Sequence, residues 1–190
     1  MDILSRKEKI ILTTIDIIDD IGINNLSTRE LAKRQGITDA SLYKHFKSKD
    51  EILNGVLDYF SKFDDSIFNT VEHRNMDAKE AVLFIVKAFA EYYQSYPAIT
   101  AVLYSYETLL KEKNTAEFVR QIYTNRHNRL KRVILQGQDK QELSRSFTAE
   151  ILADIILGLI KETTFRWRFN DYNFSLKDSV LEATRALLDK

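Results

Sequence analysis

The sequence has no cysteine, one proline and five glycines among its 190 residues. Without cysteine, the chain has no disulfide framework, no thiolate nucleophile and no thiolate metal site. So few prolines and glycines provide few of the turns that a sheet needs between its strands. No stretch alternates polar and apolar residues with the period of an exposed strand. The sequence therefore predicts an all-α protein.

A surplus of one charge and a long apolar run are also missing. The 28 basic residues are balanced by 28 acidic ones, so any affinity for nucleic acid must come from a local patch. The longest apolar run, residues 155–160, is far shorter than the roughly 20 residues of a membrane span. Asp16, Asp19 and Asp20 interrupt the N-terminal apolar stretch, which is unlike a signal peptide. We expect a cytoplasmic protein that does not bind a membrane.

The chain also lacks the common enzyme and cofactor motifs. It contains no HExxH, GxxxxGK[ST] or GxGxxG pattern. Its three histidines, His45, His73 and His127, are far apart in the sequence. Neighbouring acidic residues such as Asp64 and Asp65 do not face each other on a helix. We therefore expect neither catalysis nor a metal or other cofactor.

What the sequence does contain is two helix-start signals close together. Ser27 with Glu30, and Ser48 with Glu51, each form a Ser-x-x-Glu pattern. In this pattern the serine hydroxyl accepts a hydrogen bond from the N–H three residues on, and the carboxylate reaches back to the serine N–H. Helices are expected to begin near residues 28 and 49.

Between these two starts, the pattern predicts a second short helix that ends at Phe46. Gly36 interrupts the helical pattern, and either Thr38 or Asp39 can cap a new helix whose inner face carries Leu42 and Phe46. A short helix, a glycine turn and a second short helix have the layout of a helix-turn-helix, whose second helix enters the major groove of DNA. The same layout also occurs in helical domains that never contact DNA.

Local charge favours DNA binding. Between residues 29 and 49, six basic residues stand against two acidic ones, and a phosphate backbone attracts such a patch. The expected phosphate contacts are Thr28, near a helix N-terminus, with Tyr43, Lys44, His45 and Lys49.

The run T-R-E-L-A-x-x-x-G-I-T-x-A-S-L-Y-x-H-F-x-S-K-x-E-I-L, from Thr28 to Leu53, resembles the signature of the TetR (tetracycline-repressor) family of bacterial one-component regulators. The resemblance implies that Thr38, Asp39, Ala40, Ser41 and Tyr43 lie at or beside the base edges of DNA. Ala40 could touch a thymine methyl group. Asp39 could accept a hydrogen bond from a cytosine amine, or could serve only as a helix cap.

The apolar pattern predicts further helices on either side. The first is Arg6–Ile21, and one that begins at Lys49 runs to about Phe68. Later helices are expected over Lys79–Tyr93, from near Pro97, over Thr115–Gln136 with Gly137 as its stop, over Thr148–Arg168, and from Ser175. We expect a helix-turn-helix domain over residues 1–50 and a larger helical domain over residues 51–190, linked by the helix from Lys49.

Aromatic residues are numerous in the larger domain. At helical spacing such residues usually pack in a core, but their number here exceeds what a bundle of this size needs, and pockets between helices are lined in this way. The TetR resemblance implies an effector pocket in this domain, with a small, mostly apolar or aromatic ligand. The expected ligand-binding residues are Phe89, Tyr93, Tyr106, Phe118, Tyr123, His127 and Phe165, with Glu107 and Arg120 as further polar anchors.

The last two helices carry more apolar surface than one neighbour can cover. A helix that is apolar on more than one face must be buried on more than one face. Both could be core helices of a monomer, but the TetR resemblance implies a homodimer built as a four-helix bundle. The expected interface residues are Leu152, Ile155, Ile156, Leu159, Leu181, Thr184 and Leu188.

Together these features predict a DNA-binding transcription regulator, a repressor that leaves a palindromic operator when its small-molecule effector binds. Activation is a variant that depends on the position of the operator. Two alternatives differ in kind. A helical small-molecule or lipid carrier would bind its ligand without salt-dependent DNA affinity, and a DNA-binding adaptor controlled by a protein partner would have a filled core in its larger domain.

Overall fold

The computed structural model describes residues 4–189, and over this range the chain is helical without a strand. The described residues form ten α-helices: α1 (Arg6–Ile21), α2 (Thr28–Gln35), α3 (Asp39–Tyr43), α4 (Lys49–Arg74), α5 (Ala78–Ser95), α6 (Thr100–Tyr104), α7 (Tyr106–Leu109), α8 (Ala116–Asp139), α9 (Ala149–Phe169) and α10 (Leu176–Leu188). Short 3₁₀ turns at Ile23–Asn25 and Pro97–Ile99 lead into α2 and α6. The all-α prediction is confirmed.

The chain divides into two compact units. The first contains the residues up to Phe63 together with Pro97–Ile122, and the second contains Asp64–Tyr96 together with the residues from Tyr123 onward. Helices α4 and α8 each contribute residues to both units. The predicted boundary at residue 50 instead separates a DNA-binding part from a ligand-binding and dimerisation part. This functional division stays a prediction.

Helix α1 provides the inner surface against which the first unit is built. It begins with a complete capping box, in which the Ser5 hydroxyl accepts from the Glu8 N–H at 3.2 Å and the Glu8 carboxylate accepts from the Ser5 N–H at 2.7 Å. Ile10, Ile15 and Ile17 on its inner face are fully buried. Its bounds match the prediction because a strong cap and Gly22 mark its two ends.

The second unit is built on α5, α9 and α10. Helix α10 packs against both α5 and α9. The residues that fill the space between them are branched and almost completely buried, namely Val82, Ile85, Val86, Ile156, Ile160 and Val180. Within residues 4–189, none of the helices combines the length and the apolar character needed to cross a membrane.

The predicted C-terminal ends of α4 and α8 are wrong. Helix α4 continues past Phe68 to Arg74, because Val71 extends its buried face by another turn. Gly137 does not stop α8, which runs to Asp139. A Cβ on Gly137 would lie 2.2 Å from the Ala78 Cβ at the start of α5, so this glycine permits a close approach of two helices.

Candidate DNA-binding interface and ligand-binding domain

The turn between α2 and α3 has the conformation that glycine allows. Gly36 lies in the left-handed region, with φ 62° and ψ 32°. Beyond it the Ile37 N–H donates to the Ala32 carbonyl at 3.0 Å, which closes the end of α2. At the start of α2, the Ser27 hydroxyl accepts from the Glu30 N–H at 3.1 Å. The predicted helix, glycine turn and second helix are all present.

The predicted return bonds of the two Ser-x-x-Glu patterns are wrong. The Glu30 carboxylate binds the Arg34 guanidinium at 2.8 Å, since a charged partner one helical turn away binds it more strongly than a neutral N–H. Ser48 does cap α4, accepting from the Glu51 N–H at 3.1 Å. The Glu51 carboxylate, however, accepts from the N–H of Lys47 at 2.5 Å, one residue before the cap.

Helix α3 is capped by Thr38. Its hydroxyl accepts from the Ser41 N–H at 3.2 Å, and Asp39 is the first residue of the helix. The alternative in which Asp39 serves only as the cap is therefore wrong. Its exposed carboxylate lies at the N-terminus of α3, where the helix dipole stabilises a negative charge.

The inner side of the predicted reader is buried and its outer side is accessible. Leu42 is fully buried and Phe46 is 5% exposed, with the Lys7 ammonium 5.4 Å from the centre of the Phe46 ring. Helix α3 ends at Tyr43, three residues before its predicted end. Of the predicted DNA-binding residues, Thr38, Asp39, Ala40, Tyr43 and Lys44 are exposed, and Thr28, Ser41, His45 and Lys49 are partly buried.

Ion pairs reduce the basic patch that the sequence indicated. Arg34 lies 2.6 Å from Asp20 of α1 and 2.8 Å from Glu30. Close by, the Gln35 amide donates to the Thr13 hydroxyl at 2.5 Å. Arg34 therefore fixes α2 on α1, and its charge is already compensated. Sequence spacing could indicate the bond to Glu30 but not the one to Asp20.

The first turn of α4 is tied to the segment before α8. The Asn114 amide donates to the Asp50 carboxylate at 2.6 Å, and the Asn54 amide donates to the Asn114 carbonyl at 3.2 Å. These two bonds position the start of α4, the helix that follows α3. Residues 54 and 114 are 60 positions apart, so no local pattern in the sequence marks the contact.

The predicted ligand-binding residues belong to both units. Tyr106 and Phe118 are in the first unit, and Phe89, Tyr93, Tyr123, His127 and Phe165 are in the second. Phe89 and Tyr93 are each 1% exposed and their ring centres are 6.1 Å apart. Tyr123 stacks on His127, but Tyr123 and Phe165 are 57% and 51% exposed. The structure thus brings Phe89 and Tyr93 together in a buried environment and leaves Tyr123 and Phe165 at the surface of the chain.

A buried ion pair that sequence reasoning missed lies beside Phe89. Arg126 Nε is 2.7 Å from Asp64 Oδ2 and its Nη2 is 2.9 Å from Oδ1. The guanidinium lies 4.7 Å from the centre of the Phe89 ring. Burial raises the pKa of Asp64, and the charge and hydrogen bonds of Arg126 oppose that rise. Burial likewise raises the pKa of Tyr93.

His127 is engaged by α9. Its Nε2 lies 3.0 Å from Asp154 Oδ1 and 3.8 Å from Glu150 Oε1. Glu150 is also bound by Lys131 at 2.7 Å. Across the described part of the chain, no three histidine or acidic side chains are grouped closely enough to hold a metal ion.

The predicted dimer residues differ in what they leave exposed. Leu152, Ile156, Leu181, Thr184 and Leu188 are buried within their own chain, whereas Ile155 and Leu159 are only partly buried. A second copy can contact only what the first leaves accessible. The interface stays a prediction, and of its residues Ile155 and Leu159 leave the most surface accessible to a second copy.

The exposed apolar surface continues along α9. Ile151, Phe165 and Phe169 are 48%, 51% and 80% exposed, and the rings of Phe165 and Phe169 stack 6.4 Å apart. Gly158 lies on the same exposed side, with nothing near the position of a Cβ. We call this the α9 face, made of Ile151, Ile155, Gly158, Leu159, Phe165 and Phe169.

Comparisons with known proteins match the chain at two levels. A family model matches part of the first unit, and individual proteins match nearly the whole chain. Residues 10–56 match the model of the bacterial regulatory proteins of the tetR family. The nucleoid occlusion factor SlmA of Vibrio atlanticus is 20% identical over 171 residues, which are 90% of this chain and 87% of that protein.

Two solved structures share the fold. One is the transcriptional regulator FadR from Bacillus subtilis in complex with stearoyl-CoA, with a TM-score of 0.79 and 21% identity over 94% of this chain and 97% of that one. The other is the TetR family transcriptional regulator PfmR from Thermus thermophilus, with a TM-score of 0.81 and 20% identity over 95% and 97% of the two chains. Residues 10–56 therefore match the tetR family of bacterial regulatory proteins, and over nearly its whole length the chain has the same fold as these two solved regulators.

Proposed function

We propose that this chain is a homodimeric repressor that acts in the cytoplasm on a pseudo-palindromic operator. The observation that carries the proposal is the accessible outer side of α3, held in place by Leu42 beneath it and by the ties of α2 to α1. In helix-turn-helix dimers the two reading helices enter successive major grooves about 34 to 36 Å apart. Two copies of α3 read the two half-sites.

Contacts to the DNA divide into two groups. Thr28, Tyr43, Lys44, His45 and Lys49 contact phosphates and set the position of the helix, while Thr38, Asp39, Ala40 and Ser41 lie at the base edges. Ala40 packs on a thymine methyl group, and Asp39 accepts from a cytosine amine. Because Thr38 caps the helix, the Asp39 carboxylate is available for this contact.

The dimer forms through the α9 face. A single copy leaves Phe169 80% exposed together with half of Ile151 and Phe165, and several large apolar side chains exposed along one helix favour an interaction site. Part of this face, at Ile155, Gly158 and Leu159, lines a groove of about 510 Å³ whose other side includes Ser179 and Ala183 of α10. Packing of the same face of a second copy into this groove gives the two-fold symmetry that a palindromic operator requires.

A small, mostly apolar ligand releases the DNA. It engages Phe89 and Tyr93, which are buried next to the Asp64–Arg126 pair. The structure of FadR with stearoyl-CoA supports a ligand of apolar character. Since α4 follows the reader directly and also carries Asp64, a ligand that shifts α4 changes the spacing of the two reading helices. A thousandfold loss of DNA affinity requires about 4 kcal/mol of coupling between the two sites.

Selection of bound fragments from genomic DNA by the purified protein tests the proposal. Wild-type protein is expected to recover a short palindrome upstream of genes, and Tyr43→Ala is expected to lose it while remaining folded and dimeric. Recovery of no preferred sequence by the folded, dimeric wild-type protein would contradict operator binding and favour a carrier. Addition of stearoyl-CoA, with free CoA as its control, then tests release of the recovered DNA.

A second candidate rests on the relatives named nucleoid occlusion factor. Under this alternative the chain binds DNA as such a factor, and its output is not transcription of a neighbouring gene. The same selection separates the two. Sites concentrated upstream of a few genes support the repressor, and sites scattered along the chromosome without relation to gene starts support the occlusion factor.

A further inference from the structure

A groove of about 280 Å³ in the second unit lies among α4, α5 and α8, and the proposed DNA and effector contacts do not use it. Its apolar floor is formed by Phe68 and Val71 of α4, Ala81 of α5 and Val133 of α8. Sites for drug-sized ligands span roughly 300 to 1,000 Å³. The groove therefore suits a smaller molecule with an apolar part.

One wall of the groove is fixed by close packing. Gly137 of α8 approaches Ala78 so closely that a Cβ could not be accommodated. The Glu142 carboxylate accepts from the Ala78 N–H at 2.8 Å and holds the chain after α8 on the start of α5. These contacts belong to the folded chain itself, so the groove exists before any ligand binds.

The carboxylates that line the groove are already engaged. Glu72 accepts from Arg129 at 2.9 Å, and Arg129 also binds Asp65 at 3.1 Å and lies over the Phe68 ring at 4.9 Å. Glu142 is bound to the N-terminus of α5, whose dipole stabilises its charge. Arg129 and Glu72 are thus paired with each other and Glu142 is bound at the start of α5, so these three residues form the rim without offering charge to a ligand.

Two further cations, Arg132 and Lys140, line the groove and differ from Arg129 in their surroundings. Arg132 and Gln136 lie one turn apart on α8, and Lys140 directly follows the last residue of that helix; all three line the groove. Arg132 and Lys140 are both exposed, and neither takes part in an ion pair within the described residues. We propose that the groove binds a small monocarboxylate with a short apolar tail. Arg132 and Lys140 hold the carboxylate by charge-assisted hydrogen bonds, and the tail covers the floor formed by Phe68, Val71, Ala81 and Val133.

Titration of the full chain with sodium hexanoate, followed by calorimetry and by amide chemical shifts, tests this site. The expected result is saturable binding with shifts centred on residues 68–81 and 129–142. The double variant Arg132→Gln/Lys140→Gln should bind about tenfold more weakly, because two charge-assisted bonds are lost. Val133→Phe should weaken binding comparably by filling the groove while all charges remain.

The matched control is Lys87→Gln/Arg185→Gln, which removes the same charge from exposed positions elsewhere in the second unit. It should bind hexanoate as the wild type does, and uncharged 1-hexanol should bind the wild type more weakly than hexanoate. The proposal is overturned if millimolar hexanoate gives no saturable binding, if the control and the groove variant lose affinity equally, or if the shifts centre elsewhere. None of these readouts requires DNA binding, so failure here is distinct from failure of the repressor proposal.

Discussion

Arg126 and Asp64 form a two-point ion pair inside the second unit, with both guanidinium-to-carboxylate distances below 3 Å. Their side chains are only 10% and 5% exposed. A buried pair of this kind adds little net stability relative to apolar residues, but removal of one partner leaves an uncompensated charge. The pair therefore defines a position where α4 and α8 must stay in register.

Arg126→Ala is expected to lower the free energy of unfolding by about 3–5 kcal/mol at neutral pH, measured by urea denaturation. Burial already raises the pKa of Asp64 in the folded state, and loss of Arg126 raises it further. A raised folded pKa of Asp64 lowers stability only at pH values where the carboxyl of the unfolded chain is ionised. The loss of stability in Arg126→Ala should therefore shrink as the pH falls toward the unfolded pKa of about 3.9. The double variant Asp64→Leu/Arg126→Met should recover most of the loss. A deficit that does not change with pH would show that lost packing on Phe89, not charge, is responsible.

Thr38→Ala is expected to destabilise the first unit by about 1 kcal/mol, because α3 loses its cap. Asp39→Asn should leave stability within about 0.5 kcal/mol, since this side chain is exposed. It should instead change which base is preferred at one operator position. Thermal unfolding and competition with operator variants measure the two effects. Equal destabilisation by both variants would contradict the assignment of Thr38 as the cap.

Gly137→Ala is expected to cost about 1–3 kcal/mol, because overpacking forces backbone shifts where the new Cβ meets Ala78 and Leu143. Gly158→Ala is the matched control, since no atom of its own chain lies within 4 Å of the new Cβ. It should raise the stability of a monomer by up to about 1 kcal/mol through helix propensity. If Gly137→Ala proved neutral, the close approach of α8 to α5 would be disproved.

Leu159→Glu is expected to convert the dimer into folded monomers, because it places a charge in the α9 face. Leu135→Glu introduces the same charge at a leucine of α8 that is 49% exposed, and should leave the dimer intact. Sedimentation of both variants at several concentrations gives the oligomeric state. Dissociation by Leu135→Glu with a dimer retained in Leu159→Glu would place the interface elsewhere.

Local signals explain what the sequence predicted well. Ser5 with Glu8 and Gly22 enclose α1, and Ser175 starts α10, because caps and glycines act within a few residues. The prediction at Gly137 was wrong because a glycine can either end a helix or allow another helix to approach closely. Which of the two applies depends on whether another helix packs there, as α5 does at Ala78.

Contacts between distant residues explain what the sequence did not show. Asp64 and Arg126 are 62 positions apart, and Arg34 of α2 forms an ion pair with Asp20 of α1. Neither pairing has a periodic signature. The division of α9 between its own core and the α9 face likewise depends on where α5 and α10 pack, which an apolar stripe alone does not specify.

The most direct test of the central claim is the affinity for the recovered operator and for a scrambled duplex, measured by fluorescence anisotropy across a range of salt concentrations. Wild-type protein should prefer the operator. Lys49→Ala should weaken binding to both duplexes and lower the salt slope by about one unit per lost phosphate contact per subunit. Ala40→Ser should reduce the preference for the operator and leave the salt slope unchanged. Equal binding of both duplexes by the wild type, or the same change in both variants, would contradict the account of α3 as the DNA reader.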